Sequence, residues 1–383
     1  MWFFSAPRKI VFGEDALDAL QEIQAKHALI ITDKHLTESN LHQPLITLLT
    51  EQNITYTIYD AVTKEPDIPT AQQGAQLAEQ NQADLLIALG GGSVIDCAKA
   101  IWILYENPDM NIAEVFPEDP LPLRKKATLI TIPTTSGTGS DANWAIVIKD
   151  PETGQKLSVA HRDLIPDLDI VDPQFTKTLP PRLTGATAFD ALTHAIEAYT
   201  VDWKNDFSDG LAKHAIQLIL TYLPQLHTNP QDQHAREHLH NAATLAGIAF
   251  GNSQIGGAHA LAHALGAVYN LPHSELVGLI LPHMMNYCKQ NPETAQRYAD
   301  LAYHNHLSNT NKPESADALI THLQSLLTTL NLPTKLSDYN ITKESLIDHL
   351  DELQAFILSD TGALANPQEL DEDNIARLLN QLL

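Results

Sequence analysis

The chain has 383 residues, enough for two hydrophobic cores, and its 44% apolar content is that of an ordinary globular protein. With 47 Asp and Glu against 23 Lys and Arg the net charge is −24, a field that repels nucleic acid and anionic membrane, and the densest basic run is only Arg124-Lys125-Lys126. Cys97 and Cys288 stand far apart without a CxxC pair, which fits a reducing compartment, and no run has the length of a signal core or a membrane span, so the expected location is the cytoplasm.

In chain order, Gly13-Glu14-Asp15 precedes Ala16, Leu17, Leu20 and Ile23, a helical apolar spacing with acidic residues in its first turn, read as the first helix. Three apolar runs follow, ALIITD at 28–33, DLLIAL at 84–89 and ATLITI at 127–132, each ending in a polar or turn-forming segment. Alternation of such runs with helical patterns predicts an α/β domain with parallel strands, which place ligands at their carboxyl ends. From Pro180-Pro181 onward the pattern turns to helix after helix, rich in Ala, Leu, His and Gln. The expected architecture is an α/β domain over 1–181 and an all-helical domain over 182–383, joined at Leu179-Pro180-Pro181-Arg182, where proline interrupts regular hydrogen bonding. The Asn/Gln/Pro-rich stretch from His227 to His234 reads as a solvated loop.

Two glycine-rich turns follow strands. LGGGS, with Gly91, Gly92 and Ser93, opens a helix through Val94 to Lys99, so backbone can approach an anion at a helix N-terminus. Its spacing is not GxGxxG, and an ordinary strand-to-helix turn is an equal reading of the triplet alone. PTTSGTGS at 133–140, with Thr135 and Thr138, adds hydroxyls suited to phosphate or ribose, and together the turns favour a dinucleotide. Asp33 closes the first apolar run, where a carboxylate accepts from a ribose diol and repels a 2′-phosphate, favouring NAD over NADP; a helix N-cap is the alternative reading.

In the helical half, Asp190 and His194 stand four apart and share one helix face. GGAHALAHALG carries a second such pair, His259 and His263, and His273 follows in NLPH, so three histidines fall within fifteen residues among small apolar neighbours. Imidazoles with a carboxylate suit Fe²⁺ or Zn²⁺ and not Mg²⁺ or Ca²⁺.

GGGSVIDCAKA, PTTSGTGSDAN, FDALTHAIEAY and GGAHALAHALGAVYNLPHS, in this order along nearly the whole chain, resemble the cofactor and metal signatures of the iron-containing (group III) alcohol dehydrogenases. The resemblance implies an N-terminal dinucleotide-binding α/β domain, an all-helical metal-binding domain and an active site in the cleft between them. It implies metal ligands at Asp190, His194, His259 and His273, with His263 beside the metal, and cofactor contacts at Asp33, Gly91, Gly92, Ser93, Thr135, Thr138, Lys156 and Leu179. It also implies a homodimer acting on a small alcohol or aldehyde. Val94, Asp141, Asn143 and Ser274 depart from the family's usual residues, and none of them is a ligand position.

The chemistry such parts serve is hydride transfer between NAD(H) and an alcohol or aldehyde. His263, one helical turn from His259, is read either as the proton relay or as a hydrogen-bonding support for a ligand. Phe250 and Trp144 are candidate walls of a substrate pocket. A lyase resembling dehydroquinate synthase would carry glutamate at the carboxylate position and a cluster of Arg and Lys, whereas this chain has Asp190 and few basic residues near its motifs. A silent binding protein would not need the full set of ligands plus His263.

Overall fold

The computed structural model describes residues 3–151 and 156–383, and the chain separates into two compact units, Met1–Thr178 and Leu179–Leu383. The strands of the first unit are β1 (Lys9–Phe12), β2 (His27–Ile31), β3 (Thr55–Tyr59), β4 (Leu85–Gly90), β5 (Thr128–Pro133), β6 (Ala145–Lys149), β7 (Lys156–Ala160) and β8 (Leu168–Val171). Six of them form one sheet in the order β1-β8-β5-β4-β2-β3, all parallel, and β6 and β7 make a separate antiparallel pair.

The central strands are apolar at every position because both faces are covered. Leu29, Ile31, Leu86 and Ala88 enter one core with Ala71, Ala75 and Ala78 of α3 (Ile68–Asn81) and with Ala98 and Ile101 of α4 (Gly92–Glu106). Ala28, Ile30, Leu85, Ile87 and Leu89 enter the other, against Leu45 and Leu49 of α2 (Gln43–Glu51); α1 is the short helix Lys34–Glu38. Alternate residues thus serve opposite cores, as a period of two requires. From β2 the chain steps to β3 on one side, and β4, β5 and β8 then run out on the other. That reversal, between β2 and β4, is the topological switch point at which open parallel sheets accept ligands.

The segment read as the first helix is a 3₁₀ helix, Ala16–Glu22. Leu17, Leu20 and Ile23 recur every three residues, which is the 3₁₀ period, and Leu17 and Leu20 are buried. Apolar runs did not signal β1, β3 or β8, which are short, and β3 is exposed at its start.

Among its described residues the second unit is helical: α5 (Pro181–Thr200), α6 (Asp206–Thr228), α7 (Gln233–Gly251), α8 (Gly257–Tyr269), α9 (His273–Cys288), and six further α-helices between Pro292 and Gln381. Pro180 and Pro181 start α5 and do not only break the chain, since proline's fixed φ suits the first helical position and its missing N–H costs nothing there. From Thr184 to Thr200 every residue of α5 is buried, the mark of a helix surrounded by others, here α6, α7 and α9. The stretch from His227 to His234, expected as a solvated loop between helices, does join two helices, but the loop is shorter than expected, four of the eight residues. His227 lies in the last turn of α6 and His234 in the first turn of α7, and residues 229–232 connect them, with the Asp232 carboxylate accepting from Ala235 N at 3.0 Å to cap α7. Cys97 and Cys288 are both free and buried.

Candidate active site

In the first unit the two glycine-rich turns meet. Gly91 and Gly92 follow β4, and a Cβ at Gly91 would lie 3.3 Å from Thr135 Cγ2, while one at Gly92 would lie 2.7 Å from Thr138 Cγ2. Any larger residue at Gly92 would push the Thr138 side chain away. Gly139 completes the second turn in the left-handed region, φ 61°. Asp33 follows β2, the strand beside β4, so it and the two turns line the carboxyl ends of β2, β4 and β5, next to the switch point. Its Oδ1 accepts from Leu36 N at 3.0 Å, so Asp33 does cap α1. Ser93 Oγ donates to Lys64 O at 2.7 Å, and Lys156 pairs with Glu65 at 2.7 Å, which places both beside residues 64–65. Leu179 falls in the second unit, its carbonyl 3.4 Å from Arg236 Nη2.

Sequence reasoning gave no role to the residues that hold the second turn. Lys99 of α4 is fully buried and donates to Ser140 O at 2.7 Å, Asn143 O at 2.9 Å and Ala145 O at 3.2 Å. Asp96, one turn earlier, accepts from the Ser140 hydroxyl and from Val147 N. The helix opened by the glycine triplet therefore carries the clamp on the neighbouring turn. Burial lowers the Lys99 pKa to about 8, opposed by Asp96, Asp141 and Asp169.

In the second unit Asp190, His259 and His273 each offer one ligand atom, all within 4.8 Å of one another. Asp190 Oδ1 lies 3.7 Å from His194 Nδ1, 3.5 Å from His259 Nε2 and 3.7 Å from His273 Nε2. These spacings are too long for hydrogen bonds. They suit edges of a coordination shell, because two atoms each about 2.1 Å from a shared ion at a tetrahedral angle stand about 3.4 Å apart. Asp190 Oδ1, His194 Nδ1 and His259 Nε2 are buried and lack hydrogen-bond partners, which costs about 1–3 kcal/mol per group unless something else satisfies them. His194 is sandwiched between the rings of Phe250 at 4.3 Å and His259 at 4.2 Å. Phe250 thus packs on a candidate ligand, while Trp144 lies in the first unit with Arg162 over its ring.

The electrostatics favour a cation at this place. Burial works against the Asp190 charge, but the surrounding imidazoles outweigh it and hold the carboxylate well below its usual range. Burial, reinforced by His259, pushes His194 far below the ordinary imidazole range and keeps it neutral, the form that ligates. Burial also opposes charge on His259, yet Glu197 and Asp190 on its two sides raise its pKa to about 9. Glu197, buried on α5, was not singled out in the sequence; its Oε2 is 2.5 Å from His259 Nδ1. His263 Nδ1 is 2.8 Å from Asp360 Oδ2, and its ring stacks on His273 at 5.1 Å. Asp360 also accepts from Gly362 N at 2.7 Å, so the partner of His263 is itself fixed in place.

Residues 7–173 match the family model of iron-containing alcohol dehydrogenases, and residues 184–383 match that of the C-terminal part of the Fe-containing alcohol dehydrogenase family. The NADPH-dependent butanol dehydrogenase of Clostridium saccharobutylicum is 34% identical over 99% of this chain and 97% of its own length. The 1-propanol dehydrogenase of Citrobacter freundii is 34% identical over 99% of both. Among solved structures, a 1,3-propanediol oxidoreductase superposes with a TM-score of 0.93 at 30% identity, covering all of both chains. The sulfoacetaldehyde reductase of Bifidobacterium kashiwanohense, in complex with NAD+, gives 0.88 at 26% identity over 100% of this chain and 98% of that one. The chain belongs to the iron-containing alcohol dehydrogenase family. It is an enzyme of alcohol and aldehyde oxidoreduction.

The Lys99 clamp is testable. Lys99→Met removes the donor from three carbonyls and the counter-charge from nearby carboxylates, and loss of one partner in a buried charged network typically costs about 3–5 kcal/mol. Urea unfolding should show that loss, and dinucleotide titration of the still-folded variant should show weaker binding. An unfolding midpoint equal to the parent's would refute the assignment.

Proposed function

We propose that this enzyme moves hydride between NAD(H) and a small alcohol or aldehyde, using a divalent iron, or alternatively zinc, held by Asp190, His194, His259 and His273. The observation that carries this reading is the set of three partnerless buried atoms, on Asp190, His194 and His259, with a nitrogen of each of His194, His259 and His273 at 3.5–3.7 Å from Asp190 Oδ1. Three imidazoles and one carboxylate form a donor set for a borderline transition metal. When bound, the cation supplies Lewis acidity toward an alcohol or carbonyl oxygen and the nicotinamide supplies the hydride.

The protein's own part in the chemistry falls to His263. With Nδ1 donating to Asp360, Nε2 is the position that takes or returns the substrate proton, and the fixed carboxylate holds the ring in that orientation. Gly91, Gly92, Ser93, Thr135 and Thr138 form the proposed phosphate and ribose cradle at the switch point, with Lys156 and Leu179 as further cofactor contacts. Asp33 favours NAD. Its Oδ1 is engaged in capping α1, which leaves Oδ2 for a ribose diol. The relatives differ here, one being named for NADPH and another bound to NAD+. A short-chain substrate is supported by relatives named for butanol, 1-propanol and 1,3-propanediol. Among the described residues no helix is long and apolar enough to cross a membrane, in keeping with a proposed cytoplasmic enzyme, and the family resemblance supports a homodimer, which sedimentation would check.

His259→Ala or His273→Ala should abolish both stoichiometric metal binding and turnover, and Asp190→Asn should weaken binding by removing the anionic ligand. Metal content after dialysis, read beside NADH-linked activity, checks this; parental affinity in either alanine variant refutes the ligand set.

The parent should use NADH more efficiently than NADPH, and Asp33→Gly should narrow or reverse the ratio. Glycine costs a helix cap only a few tenths of a kcal/mol, so the fold should not confound the comparison. Equal or better efficiency of the parent on NADPH counts against the assignment.

His263→Gln should keep its metal while kcat falls by roughly 10²–10⁴-fold, the usual contribution of a general acid–base group. Parental turnover in the metal-saturated variant across the pH range, with the chemical step shown to limit the rate, removes the relay.

A further inference from the structure

Helix α8 begins on two glycines and has no capping side chain of its own. Its first three N–H groups are nevertheless all satisfied, and from a distance. Gly256 N donates to Glu197 Oε2 at 2.8 Å, Gly257 N to Asn366 Oδ1 at 3.1 Å and Ala258 N to Glu197 Oε1 at 2.7 Å. This glycine-rich helix start therefore keeps none of these N–H groups for an external anion. Both oxygens of Glu197 are engaged, and Oε2 also lies 2.5 Å from His259 Nδ1. The approach is close enough that a Cβ at Gly256 would stand 3.0 Å from Glu197 Oε1, and one at Gly257 only 2.8 Å from Met284 Cε. Two glycines are the residues that let α8 start there.

We propose that Glu197 is a positioning residue for the metal centre: its carboxylate fixes which nitrogen of His259 carries hydrogen and thereby which nitrogen faces the cation. The inference rests on the metal reading proposed above. A neutral imidazole has one donor and one acceptor nitrogen, and an ionised carboxylate can only accept. His259 Nδ1 is therefore the donor in either charge state, and the hydrogen that a cation would displace is the one on Nε2, which faces Asp190 Oδ1 3.5 Å away and has no hydrogen-bond partner. Carboxylates that accept from the far nitrogen of a ligating histidine orient the ring and raise its basicity. Glu197 is placed for this by the same helix face that supplies two candidate ligands, since Asp190, His194 and Glu197 stand at i, i+4 and i+7 on α5. Glutamine does not substitute. Three donors converge on this side chain, from Gly256, Ala258 and His259, and an amide nitrogen would meet one of them donor to donor. Turned toward His259, that amide would drive the ring's hydrogen onto Nε2, where the cation belongs.

The test compares Glu197→Gln with Asn366→Ala, which removes the other distant cap of α8 without touching His259. Apo-protein of each is titrated with Co²⁺ against a competing chelator, its visible spectrum is recorded, and the melting temperature of the metal-free form is measured. Loss of such an outer partner typically weakens metal binding about 10–100-fold. Glu197→Gln should show that loss with altered Co²⁺ bands, whereas Asn366→Ala should lower the apo melting temperature and bind Co²⁺ like the parent. If Glu197→Gln does not fold, Glu197→Asp carries the same test, because it keeps the charge but withdraws it from His259. Glu197 variants that bind Co²⁺ like the parent, with only the melting temperature reduced, overturn the proposal and leave Glu197 as a cap. A parent that takes up no equivalent of Co²⁺, or whose uptake survives His259→Ala, overturns the underlying metal reading instead.

Discussion

The second unit is organised around a charge that its helices cannot neutralise by ordinary hydrogen bonding. Asp190 sits on a helix buried from Thr184 to Thr200, and one of its oxygens has no hydrogen-bond partner. A buried carboxylate is tolerated only when positive charge or donors stand close by. Here imidazoles stand around it at distances too long for hydrogen bonds. Much of the local sequence follows from that arrangement. Small residues let α5 and its neighbours approach, Phe250 closes over His194, and glycines let α8 begin against the Glu197 carboxylate.

The first unit handles the opposite charge by the opposite means. Lys99 is buried as a cation, and its donors are taken up by the backbone carbonyls of Ser140, at the end of the second glycine-rich turn, and of Asn143 and Ala145 just after it. The turn itself is largely buried, with Thr135 and Thr138 its most accessible residues. Fixed from beneath by a charged side chain, it can present hydroxyls and N–H groups in a constant geometry, the condition for binding a ligand without a large ordering cost. The second unit has a counterpart to this clamp in Glu197, which accepts from the backbone N–H groups of Gly256 and Ala258 where α8 starts.

The layer architecture was legible in the sequence because the central strands are covered on both faces and so read as unbroken apolar runs. Strand β3 is exposed at its start and β1 and β8 are four residues long, so periodicity alone did not mark them. The candidate ligands stood out because four-residue spacing puts two of them on one face amid alanine and glycine, where polar residues are conspicuous. Glu197 and Asp360 carried no such signal. Their partners are 62 and 97 residues away in the chain, and a lone acid in a helix or at a helix start looks like surface or a cap. Asp360 is a cap as well as a partner of His263, and Asp33 caps α1, the alternative that its position after an apolar run had offered.

The long reach of two of these contacts bears on the order in which the molecule is made. Asn366 meets Gly257 across 109 residues, and Asp360 meets His263 across 97, so α8 and its histidines cannot be finished until the chain has been synthesised past both. Every strand of the main sheet lies before residue 172 and can pair much earlier. At translation speeds of about 5–20 residues per second, the gap between these events is on the order of ten seconds. During it a nascent chain carries a completed parallel sheet followed by a helical half in which His263 and the start of α8 still lack their distant partners.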